Sequence, residues 1–94
     1  MARWIQANGT EQIVHPANRV EFTLEEMKTY IGGGYLEAVP FTRTEIMYVD
    51  EEGVLKQLPL NEKASEELSL VRGRPIPICG DVLIASKRET GDEE

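Results

Sequence analysis

Between Thr23 and Leu68 the chain holds nearly every residue type that dictates backbone geometry and almost none that performs chemistry. Thr23, with Glu26 three residues later, forms a capping box, in which hydroxyl and carboxylate each take an N–H that would otherwise lack a partner at the helix start. Leu24, Met27 and Ile31 follow at helical spacing and predict a buried stripe. Gly32-Gly33-Gly34 stops that helix, because glycine enters the left-handed C′ conformation without steric cost. One glycine is enough to stop it; three imply extra freedom or a close backbone approach. Tyr35 to Phe41 then alternates as a strand, with Tyr35 and Glu37 on one face. Glu45 to Val49 is apolar on both faces, the pattern of a central strand. Asp50-Glu51-Glu52-Gly53 predicts a turn with glycine at positive φ, returning the chain through a strand at Val54 to Leu58. Asn61 is the expected N-cap of a helix over Glu62 to Leu68, with Ala64 and Leu68 facing inward.

The flanks are read the same way. Asn8-Gly9 between Arg3–Ala7 and Thr10–Val14 signals a hairpin whose two turn residues both take positive φ. Val20 and Phe22 alternate with charged neighbours as a short strand. Val71 to Pro77, with Gly73, Pro75 and Pro77, reads as an irregular loop, and Ile78 to Ala85 as a buried last strand. Hairpins dominate and the helices are short. The expected fold class is therefore α+β: an antiparallel sheet built from hairpins with one or two short helices on one face. Ninety-four residues suffice for one domain, here a compact unit over 1–86 followed by an acidic flexible tail over 87–94. A domain this small is marginal alone. Its single cysteine, Cys79, cannot close an intramolecular disulfide, so a homo-oligomer is the expected remedy.

Seventeen acidic residues oppose ten basic ones, for a net charge of −7. That balance disfavours nucleic acid and anionic membranes, which need clustered lysine and arginine. No stretch approaches the ~18 apolar residues of a membrane helix, and the N-terminal residues lack the apolar core of a signal peptide, so the expected location is cytosolic. His15 has no neighbouring partner for acid–base work, and it and Cys79 with scattered acids do not make a metal site. No cofactor motif is present: the glycines follow a helix, and no Lys-Ser/Thr ending makes them a phosphate loop. The expectation is a binding module and not an enzyme. Tyr35 and Glu37 stand about 7 Å apart along one strand face, suited to stacking on a base and bonding sugar hydroxyls. The bland counterpart is a cross-strand packing pair. Arg72 and Arg74, spaced around Gly73, form a local basic pair, fit for phosphates or simply for solubility. Trp4 serves equally as core or as an exposed stacking surface.

Three segments in order, LEEMKTYIGGGYLEAVP, IMYVDEEGVLKQLPLNEKA and ICGDVLIAS, resemble a family of small domains of unknown function carried by phages and mobile elements. The pattern rests on Gly33-Gly34-Tyr35 with Glu37, then Asp50 to Gly53 with Leu55, Leu58, Pro59, Asn61 and Ala64, then Gly80. The chain departs from it in having a third glycine and an arginine- and proline-bearing loop at Val71 to Pro77. The resemblance implies no enzymatic activity and a phage accessory protein in the cytoplasm of a host bacterium. On that basis the leading expectation is sequestration of a small nucleotide-like anion, a host immune signal, by a homo-oligomer. Tyr35 would stack, Glu37 would bond ribose hydroxyls, Asn61 would orient the ligand, and Arg72 with Arg74 would hold phosphates, where the glycine-led strand meets the last loop. The alternative is an inhibitor whose acidic surface blocks a host defence protein; a structural accessory to a phage complex is a third reading.

Overall fold

The computed structural model describes residues 1–91. Five strands, β1 (Ala2–Ile5), β2 (Glu11–Val14), β3 (Leu36–Pro40), β4 (Glu45–Asp50) and β5 (Val82–Ser86), form one sheet in the order β2-β1-β5-β4-β3. Every pairing is antiparallel. With α1 (Leu24–Tyr30) and α2 (Glu62–Arg72), this is the expected α+β class. The helices do not share one face, however. Met47, Val49, Val82 and Ile84 pack with Ala64 and Leu68 of α2. The alternate residues Ile46, Tyr48, Leu83 and Ala85 pack with Met27 of α1. Strands apolar on both faces need cover on both, and each helix supplies one side.

The same constraint explains why Val54 to Leu58 is not a strand. β4 already pairs with β3 on one edge and β5 on the other, so no ladder remains. Residues 51–57 instead form consecutive turns, with the N–H groups of Lys56, Gln57 and Leu58 donating to the carbonyls of Glu52, Val54 and Gly53. Val54 and Leu55 project into solvent. Gly53 does not take positive φ; a Cβ there would sit 2.8 Å from the Cys79 carbonyl oxygen. In the N-terminal hairpin only Gly9 is left-handed. Bonds from Gly9 N to Gln6 O and from Gln6 N to Thr10 O give a three-residue loop in place of a two-residue turn. Val20 to Phe22 makes no strand because the Asn18 side chain accepts the N–H groups of Val20 and Glu21. Cys79, expected within the last strand, lies before it, half-buried and bridged to Leu60.

Both helix starts form as read. Thr23 and Glu26 make the full capping box, although Leu24 points outward and only Met27 and Ile31 of the expected stripe are buried. α2 runs past Leu68 to Arg72 and stops at Gly73, left-handed at φ 72°. Val71 and Arg72 are thus helical and not part of a loop. Residues 88–90 form a 3₁₀ turn with Glu89 buried against Ser86, so the segment expected as the start of a tail is folded as far as Gly91; residues 92–94 lie outside the described residues.

A charge network fastens α2 across β1 and β2. Arg3 on β1 grips Glu67 with two nitrogens at 2.9 and 2.6 Å and Glu11 with its Nε at 2.7 Å, and Lys63 pairs with Glu11 as well. Hydrogen bonds from Arg3 and Lys63, opposed by partial burial, hold Glu11 at a pKa of about 2, down from 4.5. A carboxylate whose folded pKa is depressed stabilises fully above its unfolded value and loses that contribution as pH falls toward the folded one. The Glu11→Gln variant should therefore fall short of the parent in urea midpoint at neutral pH, and the gap should close between about pH 4.5 and 2. A gap that does not change with pH would contradict this role for Glu11.

Candidate functional site

The end of α1, the glycine loop, the start of β3 and the 51–57 turn meet at one corner of the molecule. The N–H groups of Gly32 and Gly33 donate back to Thr29 and Lys28, and both glycines are left-handed, at φ 95° and 90°. Gly34 is needed for a different reason: a Cβ there would overlap the Asp50 carboxylate. Asp50 is buried, accepting from Lys56 Nζ at 2.8 Å and from the Glu52 N–H at 2.9 Å. Burial pushes its pKa up, but those two donors outweigh burial and the net direction is down. Lys56 is shifted upward by the same bond. The Tyr35 carbonyl accepts from Glu51 N–H at 2.8 Å, fixing the strand start against the turn, while its ring is 65% exposed.

These elements leave a cleft of about 320 Å³ lined by Lys28, Gly33, Gly34, Tyr35 and Lys56. Behind Lys56 lies a smaller recess of about 230 Å³ walled by Asp50, Gly80 and Asp81 among others. The cleft therefore offers two ammonium groups, an exposed phenol ring and bare main chain. Among the described residues no three His, Cys, Asp or Glu side chains gather as metal ligands.

The five residues proposed from sequence are not brought together. Tyr35 lines the cleft, and Glu37 is exposed two residues along β3, opposite Val49. Arg72 is exposed at the C-terminal end of α2, where a cation also suits the helix dipole, and donates to the Pro40 carbonyl. Pro40 is five residues from Tyr35, about 17 Å along the strand. Arg74 is exposed beyond Gly73. Asn61 is 1% exposed: its Oδ1 accepts from Ala64 N–H at 3.1 Å, and its Nδ2 donates to the carbonyls of Ile5 and Gly80 at 2.9 Å each. Its amide is spent on the fold, about 16 Å of helix away from Arg72. The glycine loop meets the 51–57 turn and not the loop after α2. Lys28 and Lys56 escaped the sequence reading because each stands alone in the chain; the one available signal was Lys28 placed one turn before three glycines. His15 is exposed, and Trp4 is half-buried, its Nε1 donating to Tyr30 O at 2.8 Å.

The model of the family described as Domain of unknown function (DUF3846) matches residues 8–94. The match includes every part of the cleft and leaves out β1, although β1 stands between β2 and β5 in the sheet. No curated protein matches the chain, and neither does any solved structure.

Two substitutions separate scaffold from site. Asn61→Ala removes a cap and the two bonds that Nδ2 donates to the Ile5 and Gly80 carbonyls, and should cost about 2–4 kcal/mol in chemical unfolding. Gly34→Ala forces Asp50 away from Gly34 and should cost roughly 2 kcal/mol or more. Calorimetry should show the loss relieved in the Gly34→Ala/Asp50→Gly double variant, a non-additivity that an independent effect at position 34 would not produce.

Proposed function

The chain belongs to the DUF3846 family, and for this member we propose a non-catalytic binding role: capture of a small anionic ligand carrying a flat ring, in the cleft between the glycine loop and the 51–57 turn. One observation carries the reading. In a chain with seventeen acids against ten bases, two lysines and an exposed tyrosine line the same cleft beside bare glycine backbone. Stacking of a base on an aromatic ring is worth roughly 1–3 kcal/mol. Lysine ammonium groups act as point charges toward phosphate. Glycines admit a ligand close to the main chain. Lys56 is neutralised by Asp50, whereas Lys28 has no ion pair among the described residues. Lys28 thus supplies the uncompensated charge, and Lys56 shares one of its three N–H donors with an arriving phosphate. Glu37, about 7 Å along the strand, is placed for the hydroxyls of a sugar stacked through its base.

Capture needs complementarity and no acid–base pair. The resemblance to phage and mobile-element domains supports taking the ligand as a nucleotide-derived immune signal of a host bacterium, sequestered in its cytoplasm. The open Tyr35 ring fits a homo-oligomer in which a neighbouring subunit covers it. Thermal unfolding against a panel of linear and cyclic nucleotides tests the reading. A true ligand at a hundred times Kd should stabilise by about 2.7 kcal/mol. Tyr35→Ala and Lys28→Gln should lose that gain while still unfolding cooperatively without nucleotide, since neither side chain is buried in the chain's own core. No Tm rise with any nucleotide would refute the proposal.

A further inference from the structure

The outer side of α2 carries a second recess, which shares no lining residue with the glycine-loop cleft. Ser65 and Ser69, one turn apart, accept the N–H groups of Ile78 and Ile76 at 2.7 and 2.8 Å. The chain after α2 is thereby held extended alongside the helix. Ile76 and Ile78 turn inward onto the α2-side core, while Pro75 and Pro77 remain exposed. Proline carries no N–H, so the outer side of this rail presents no unpaired donor there. Between the rail and the ridge bearing Glu62 and Glu66 lies a trench of about 540 Å³, with Leu60 at its wall. Leu60 is 49% exposed, and Leu70, the next residue on the Glu62–Glu66 ridge, is 78% exposed.

The charges of α2 are sorted by side. Lys63 and Glu67, toward the sheet, are engaged with Glu11 and Arg3. Glu62 and Glu66 flank the trench and have no ion pair among the described residues. Four residues apart on one helix, they repel each other. Glu62 at least lies in the first turn, where the helix dipole favours an acid; Glu66 has no such compensation. An apolar floor beside two uncompensated carboxylates is complementary to an apolar side chain flanked by cations.

We propose that this trench docks an extended segment of another protein, with a leucine-sized anchor between arginine or lysine residues. A second copy of this chain presenting this same face is a poor occupant, because it would bring the same two unpaired glutamates to the contact.

Amide chemical shifts of the full chain, titrated with the synthetic peptide acetyl-Arg-Leu-Arg-Leu-Arg-amide, test this. Saturable shifts should cluster on residues 60–77, weaken with added salt, and vanish when glutamate replaces each arginine in the peptide. Glu62→Lys combined with Glu66→Lys should reduce affinity by about tenfold or more; both sites are exposed, and an amide spectrum that keeps the parent's dispersion checks that the variant is folded. Absent shifts at millimolar peptide, equal response to the glutamate peptide, or undiminished binding by the double variant would each overturn the proposal. Concentration-dependent shifts of the same amides without peptide would assign the trench to a second copy and overturn it likewise.

Discussion

The fold depends on two neighbouring strands that bury both of their faces. β4 and β5 lie side by side away from the sheet edges, and Ile46 to Val49 and Val82 to Ala85 are all buried. At roughly 25 cal/mol per Å² of apolar surface, such a pair rewards cover on each side, so a 94-residue chain must divide two short helices between two faces. α1 offers one well-buried residue, Met27, aided by Phe22, Trp4 and Tyr30. The rings of Trp4 and Tyr30 meet edge to face at 5.1 Å. α2 offers Ala64 and Leu68, helped by Phe41, Ile76 and Ile78 from the flanking segments. Each helix is too short to shield its face alone. The segments beside it are drafted into the core, and their placement sets the surface features of the molecule.

Asn61 shows how tightly this is arranged. Its amide joins the edge of β1 at Ile5, the approach to β5 at Gly80 and the first turn of α2 at Ala64. A buried amide with every group bonded stabilises one arrangement against others, because any slip leaves a polar atom unpaired. Among the described residues no buried side-chain nitrogen or oxygen lacks a partner. Asn61 appeared in sequence as both helix cap and ligand contact; only the first role survives, since an amide saturated in the core has no donor left for a ligand.

What was legible in the chain is whatever its immediate neighbours decide. The capping box at Thr23, the Asn61 cap, the three-glycine stop and the two-faced β4 are local and formed as read. Readings failed where a distant residue decided the outcome. Val54 to Leu58 lost its strand because β3 and β5 already hold both edges of β4. The third glycine owes its identity to Asp50, sixteen positions away. The candidate cleft was half legible: Tyr35 stands beside the glycines in sequence, but Lys28 and Lys56 meet only in three dimensions. Arg72 and Arg74, two positions apart in sequence and prominent for that reason, lie away from the cleft lining, and Arg72 bonds the far end of β3 at Pro40.

The distribution of charge follows from the same architecture. Arg3 and Lys63 are spent holding α2 to the hairpin of β1 and β2, which uses basic residues where the helix meets the sheet edge. Lys56 is tied through its ammonium group to a carboxylate that β4 has carried into the interior, so the charged head is held in place. An ammonium restrained in this way loses less conformational freedom on meeting an anion than a free lysine would. The glycine loop keeps that corner low and bare, and Tyr35 stands at its edge because β3 begins there. Acidic residues, in excess, are left on the outer face of α2, where Glu62 and Glu66 have no ion pair among the described residues. Lysines at one recess and glutamates at another, with no lining residue in common, are therefore a consequence of how a small, acid-rich chain covers a sheet that is apolar on both sides.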